Sequence, residues 1–161
     1  MYYLSNQEEQ QALKFLQKTT EIAKQATCHR DKCGSIIVHN NEIIGVGFNS
    51  PPLNNELQRK CNVPKDQYHT KVTDKTCCIH AEQRAIFDAL KKNPEKLENA
   101  RLYFIRLDKE NNPTKAGKPY CTICSKSTLD VGIKEFVLWH NEGICVYDTQ
   151  EYNHLSYQYK E

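Results

Sequence analysis

Thr76-Cys77-Cys78-Ile79-His80-Ala81-Glu82-Gln83-Arg84-Ala85-Ile86-Phe87-Asp88-Ala89-Leu90 decides how this chain is read. From Ala81 onward, Ala85, Ile86, Ala89 and Leu90 fall on one face at helical spacing, which predicts a helix ending near Lys92-Asn93-Pro94. His80 and Glu82 stand where a polar loop gives way to that helix. A His-Ala-Glu triplet is common by chance. Further on, however, Cys121-Thr122-Ile123-Cys124 also opens a helical pattern. Read together, the two helix starts predict one metal site, and the rest of the chain is the scaffold that brings them together.

Outward from this stretch, the pattern is regular. Ser5-Asn6-Gln7-Glu8 has the form of a capping box, followed by a helix to about Thr27 with Leu13, Leu16, Ile22, Ala23 and Ala26 on its packing face. Gly34 to His39 and Glu42 to Phe48 read as two strands joined by a turn at Asn40-Asn41, residues that tolerate positive φ. Their near-continuous apolar character predicts cover on both faces of the sheet. Pro51-Pro52 ends the second strand. Arg101 to Leu107 is a third strand, Cys121 to about Val131 a short helix, and Ile133 to Trp139 a fourth strand entered through Gly132. Ile144 to Tyr147 gives a short fifth strand. Thr149 to Tyr159 fits either a short helix or an edge segment. The order predicts one domain over residues 1–161, a three-layer α/β/α sandwich with a mixed central sheet of about five strands.

Composition narrows the function classes. The chain has 161 residues, 26% of them charged, and a formal net charge of +2. That balance argues for no strong electrostatic partner and is too small to imply nucleic acid or an anionic membrane. No apolar run approaches the ~18 residues of a membrane span. The first residues lack the basic start and apolar run of a signal peptide. The eight cysteines are therefore read as thiols of a reducing, cytoplasmic compartment, some of them on metal. The segment from Ser50 to Lys75 has no period and carries Arg59, Lys60, Lys65, His69, Lys71 and Lys75. A solvated basic loop explains these residues, and a phosphate cradle would use them too.

His80, Cys121 and Cys124 are one imidazole and two thiols, a donor set that suits tetrahedral zinc with one position open for water. A helix N-terminus favours the thiolate form that ligation needs. Glu82, two residues from the His, can enter the site without ligating and carry protons between water and a leaving amine. His-x-Glu with Pro-Cys-x-x-Cys is the signature of zinc nucleobase deaminases, and the chain is matched to that template.

Residues 28–50, 77–90 and 119–139 resemble the cytidine and deoxycytidylate deaminase superfamily. The likeness is carried by Cys28-x-Arg30-x-x-Cys33-Gly34-Ser35-Ile36-Ile37-Val38, by Gly47-Phe48-Asn49-Ser50, by Cys78-Ile79-His80-Ala81-Glu82, and by the Cys121/Cys124 pair. It is closest to the deoxycytidylate deaminase branch. The resemblance implies zinc on His80, Cys121 and Cys124, with Glu82 catalytic. It also implies substrate contacts from Asn49 and from the Ala81 N–H, side-by-side packing of the two site helices, and a homo-oligomer. Three departures stand out: Tyr120 intervenes between Pro119 and Cys121 and is placed to reach the pocket, Asp108 to Lys118 is inserted before the Cys pair, and Ser50 stands where the branch has Gly. Some members of the branch carry a structural zinc that ties down the long loop. By that likeness Cys28, Cys33 or Cys61, with Cys77 or His69, is a candidate second zinc set. Buried free thiols are the plainer reading of the same cysteines.

The expected function is hydrolytic deamination of a cytosine-containing nucleotide or nucleoside to the uracil product and ammonia. The chain lacks a basic stripe or an added binding module, so a free nucleotide or nucleoside is the expected partner rather than nucleic acid or membrane. A tRNA or DNA base deaminase, and a guanine or other purine deaminase, share the motif. From a different class, a catalytically silent zinc-bound scaffold would need no Glu82. A zinc module binding polynucleotide would show salt-dependent binding without ammonia release.

Overall fold

The computed structural model describes residues 1–160. In chain order the main elements are β1 (Tyr2–Tyr3), α1 (Asn6–Ala23), β2 (Lys32–His39), β3 (Glu42–Phe48), α2 (Ala81–Lys92), β4 (Arg101–Leu107), β5 (Pro113–Thr114), α3 (Thr122–Asp130), β6 (Glu135–His140), β7 (Gly143–Asp148) and α4 (Thr149–Tyr157). The strands form one sheet in the order β1-β7-β6-β4-β2-β3, with β5 pairing to β4. β4 and β6 run parallel, with Leu102 opposite Phe136, and the other pairs are antiparallel. The sheet is mixed as expected, with seven strands rather than about five. The two extra strands, β1 and β5, are two residues each, too short to carry an alternating pattern.

Strand alternation sorts the side chains between two cores. Ile36, Val38, Tyr103, Ile105, Val137 and Val146 pack with Phe15 and Leu16 of α1 on one face. Ile37, Leu102, Phe136 and Leu138 pack with Ala85 and Ile86 of α2 and Tyr152 of α4 on the other. The result is α1 over one face and α2, α3 and α4 over the opposite face.

Glycines on the strands, Gly34 and Gly47 among them, set how closely the helices lie on the sheet. A Cβ on Gly34 would stand 2.6 Å from the Thr19 carbonyl oxygen of α1, and one on Gly47 would stand 2.2 Å from the Ala81 carbonyl oxygen of α2. The α1 N-terminus departs from the capping box. Ser5 is extended and makes no side-chain cap, because Asn6 takes a positive φ of 53° that turns the chain before the helix can close on itself. The helix stops at Ala23, and Leu13 is exposed while Ala12, Phe15 and Leu16 are buried.

Candidate active site

The site is built where the N-termini of α2 and α3 meet. Gly47 lets the first turn of α2 sit directly on β3. The chain leaving β3 is pinned to the same turn: Ile79 N–H donates to the Ser50 carbonyl at 2.9 Å, and Arg84 donates to the carbonyls of Ser50 at 3.2 Å and Pro51 at 2.7 Å. His80 is the residue capping α2, and its N–H donates to Gln83 Oε1 at 3.4 Å. Cys121 occupies the same place before α3, where its carbonyl accepts from Ser125 N–H at 3.0 Å. Ser125 Oγ donates to Asn153 Oδ1 at 2.8 Å, tying α3 to α4. Both candidate donor groups thus come from helix starts fixed by backbone contacts.

His80 Nδ1 lies 3.1 Å from Cys124 Sγ and 3.4 Å from Cys121 Sγ, and all three donor atoms lie within 4.8 Å of one another. Tetrahedral zinc with N and S ligands sets its donors roughly 3.5–3.8 Å apart, so the three form a face that fits the ion. The site's own charges point the same way. The Cys121 thiol is pulled down to about 4, first by its hydrogen bond with Cys124 and also by His80, against the effect of burial. His80 is raised to about 9, first by its hydrogen bond with Cys121. The cluster thus holds a thiolate beside a cation, the place a metal dication takes once the ligands give up their protons. On its far side, His80 Nε2 stands 3.4 Å from Thr76 Oγ1, which in turn donates to Asp74 Oδ1 at 2.5 Å. That relay orients the ring as carboxylate partners do for metal-bound histidines. Thr76 and Asp74 had no role in the sequence reading. They reach the ring only because the loop folds back, and loop residues carry no periodic signal.

Glu82 is buried, 6% exposed, in the first turn of α2, two residues after His80. Burial pushes its carboxyl up to about 7, with the Cys121 thiolate adding to the rise and His80 opposing it. A carboxyl that gains and loses a proton near neutral pH is what a proton carrier requires.

The donor face opens into a cavity of ≈ 230 Å³. Ala81, Glu82, Asn49, Phe104, Tyr120 and Cys33 are on its walls, so the structure brings together all the residues expected to contact substrate. Asn49 is already engaged. Its Oδ1 accepts from Cys33 N–H at 2.8 Å and its Nδ2 donates to the Asp31 carbonyl at 2.8 Å. These two partners fix the orientation of the amide and leave one N–H and one lone pair free for a ligand. Tyr120 is 57% exposed and its ring lies 5.7 Å from that of Tyr159, centroid to centroid. Phe104 was not singled out from the sequence. Its alternation with Leu102 on β4 carries the signal that it faces the α2 side.

A second thiol cluster lies at the outer end of the same cavity. Cys28, Cys61 and Cys78 bring their sulfurs within 4.8 Å of one another. Cys77 flanks them, 3.3 Å from Cys61 and 3.9 Å from Cys78, and accepts from Lys60 N–H at 3.0 Å. The loop is held by Arg30, which donates to the carbonyls of Cys61 and Val63, both at 3.2 Å. The expected second set of Cys28, Cys33, Cys61 and Cys77 is corrected in two respects. Cys33 is absent from it because Gly34 faces α1, so its strand neighbour points the other way, into the main cavity near Glu82. Cys78 takes its place. His69 lies on the exposed loop, where its Nδ1 accepts from its neighbour Lys71 N–H at 3.1 Å. Among the loop bases, Arg59 is consumed by Glu56 at 2.5 Å, while Lys65 borders the main cavity. Among the described residues, no helix is long and apolar enough to cross a membrane.

The profile of the cytidine and deoxycytidylate deaminase zinc-binding region matches residues 9–140. A deoxycytidylate deaminase of Schizosaccharomyces pombe is 26% identical over 126 residues, which are 76% of this chain and 35% of that protein. The chain therefore spans about a third of that relative. The crystal structure of a dCMP deaminase from cyanophage S-TIM5, in complex with dCMP and dUMP, aligns with a TM-score of 0.56 at 22% identity, covering 83% of this chain and 82% of that one. A cytidine deaminase from Burkholderia pseudomallei aligns with a TM-score of 0.57 at 15% identity, covering 87% and 94%. At these identities the two structures establish the shared fold. With the profile covering most of its length, the chain belongs to the cytidine and deoxycytidylate deaminase zinc-binding family.

Proposed function

We propose that this protein is a zinc-dependent hydrolase that removes the amino group from a cytosine-containing nucleotide or nucleoside, giving the uracil product and ammonia. The observation that carries the reading is the buried Glu82 carboxyl on the wall of a cavity that reaches His80 and Cys121 of the three-residue donor face. Zinc held by those three residues supplies the Lewis acidity that makes water nucleophilic near neutral pH. Glu82 takes the proton from the attacking water and passes it to ring nitrogen N3. The water oxygen bonds to C4. Glu82 then takes the remaining proton from the hydroxyl on C4 and delivers it to the amine, the C4–N bond breaks, and ammonia leaves as C4 becomes a carbonyl. Asn49 and the Ala81 N–H orient the base and sugar, and Phe104 and Tyr120 wall off solvent.

We also propose that Cys28, Cys61 and Cys78, with Cys77 as the nearest fourth donor, hold a second zinc that fixes the loop around the cavity mouth. The whole chain, residues 1–161, is proposed to act as one domain.

An ammonia-release screen tests the main reading. It includes cytidine, deoxycytidine, their monophosphates, guanine, adenosine and a short RNA hairpin. Release from the cytosine compounds, lost in Glu82→Gln with zinc and fold retained, is the expected result. Wild-type turnover in that variant would remove Glu82 from the mechanism. Release from guanine or the hairpin alone would move the substrate to another branch.

A further inference from the structure

A second, smaller cavity of ≈ 50 Å³ adjoins the first and shares Glu82, Phe104, Tyr120 and Cys121 with it. Tyr120 lines both. The outer wall of the small cavity is Arg106, Lys115 and Lys118, contributed by the end of β4 and the inserted segment that follows. That segment is held firmly. Arg106 and Leu107 pair with Thr114 and Pro113, and Ala116 N–H donates to the Trp139 carbonyl at 2.8 Å. The Ala116 carbonyl accepts from His140 Nδ1 at 3.0 Å, and His140 Nε2 lies 2.9 Å from the Tyr147 hydroxyl. Lys32 Nζ reaches Asn111 Oδ1 at 2.9 Å and anchors the tip. Lys115 Nζ stands 3.1 Å from the centroid of the Trp139 ring.

The charges of the segment are sorted. Its acids fold into their own turn: Asp108 accepts from the N–H groups of Glu110 at 2.9 Å and Asn112 at 2.8 Å, and Glu110 lies 3.4 Å from Asn112 Nδ2. Among the described residues, no carboxylate forms an ion pair with Arg106, Lys115 or Lys118. The one carboxyl on this cavity's wall is Glu82, on the inner side. Three cations on a rigid frame, none of them in an ion pair and lining one small cavity, make a site for an anion. The space is sized for a small polyatomic group and not for a second base.

We propose that Arg106, Lys115 and Lys118 form a phosphate subsite that reads the 5′-phosphate of the substrate, selecting a pyrimidine nucleoside monophosphate over the nucleoside. The base lies in the main cavity over Glu82, and the phosphate passes Tyr120 into the smaller one. This assignment rests on the deaminase reading above. The insert thereby sets substrate class without touching the reacting carbon.

The test is the ratio of kcat/KM for deoxycytidine 5′-monophosphate to that for deoxycytidine. It is measured in the wild type, Arg106→Gln, Lys118→Gln and Lys109→Gln. Lys109 is an exposed lysine of the same segment that does not line the cavity, so its variant makes the same charge change outside the subsite. The ratio is expected to favour the monophosphate in the wild type. A lost charge-assisted hydrogen bond lowers it roughly 10- to 100-fold in each cavity variant, with Lys109→Gln near wild type. An unmoved ratio in both cavity variants overturns the proposal, and so does an equal fall in all three. Inorganic phosphate separates two sources of the anion. Competition with the monophosphate supports a substrate phosphate, whereas activation without competition means a separate effector and overturns the assignment. If the wild type deaminates neither compound, the reaction assignment has failed, and calorimetry with deoxyuridine 5′-monophosphate and deoxyuridine still decides the subsite. Tighter monophosphate binding that is lost in Arg106→Gln upholds it. Equal or absent binding overturns it.

Discussion

A Cβ placed on Gly47 of β3 would stand 2.2 Å from the carbonyl oxygen of Ala81, and 2.4 Å from the backbone nitrogen of Ala85. The neighbours it meets are backbone, which cannot rotate away. Gly47→Ala is therefore expected to push the first turn of α2 off the sheet, moving His80 and Glu82 together away from Cys121 and Cys124. Overpacking of this kind costs about 1–3 kcal/mol. Thermal melting and zinc content measure the two consequences separately. Loss of stability with full zinc occupancy and full turnover would show that the helix does not need its close seat on the strand.

Metal removal is expected to proceed in two stages. The His80, Cys121 and Cys124 site has three protein donors and a side open to the cavity, whereas the outer cluster has a fourth thiol close by. A chelator reaches the open site first. Activity is expected to vanish while the melting temperature changes little, and stability then falls as the second ion leaves. Zinc added back after the first stage restores turnover. Simultaneous loss of activity and stability, with one ion bound per chain, would contradict two separate sites.

The outer cluster gives its own variant. Cys61 is the hub, with its sulfur 3.3 Å from that of Cys77 and 3.6 Å from that of Cys78, and its carbonyl is held by Arg30. Cys61→Ser is expected to lower metal content from two ions to one and to speed proteolysis in the segment between Ser50 and Lys75, with α2 and the sheet intact. Elemental analysis and limited digestion read these effects. Two ions per chain in Cys61→Ser would show that its sulfur is no ligand.

The long strands and α2 were legible because their periods are long enough to count. β3 and β4 run over the residues expected, Glu42–Phe48 and Arg101–Leu107. α4 was ambiguous in sequence. It is settled by Asp148, whose carboxylate accepts Gln150 N–H at 2.9 Å and starts a helix, and by Tyr152, whose ring stacks on Phe136 at 3.9 Å. Neither contact has a local signature. The donor set His80, Cys121 and Cys124 was readable because residue type and helix-start position coincide. The outer cluster was only half readable, since its members depend on how an aperiodic loop folds. Cys33 was misplaced there for want of one fact, the face on which Gly34 packs.

Asn49 supplies a prediction in which pH sets the sign. Its amide oxygen meets the Cys33 N–H and its amide nitrogen meets the Asp31 carbonyl, so the two ends are not interchangeable. Asn49→Asp keeps the first contact but sets a carboxylate oxygen against a carbonyl, in a side chain that is 8% exposed. At neutral pH this is expected to cost about 1–3 kcal/mol, the price of an unsatisfied buried polar group. The introduced carboxyl can satisfy the Asp31 carbonyl only when it carries a proton, so folding raises its pKa above the unfolded value of about 3.9. The penalty is complete above the folded pKa. It shrinks as pH falls through that value and is gone below the unfolded one. The melting temperature of Asn49→Asp, measured against the wild type at each pH, is therefore expected to converge on it under acid conditions. Asn49→Ala loses both contacts at every pH and shows a gap that stays constant. If both variants trace the same gap across the range, the Asp31 contact does not hold the amide, and Asn49 is free to turn wholly toward substrate.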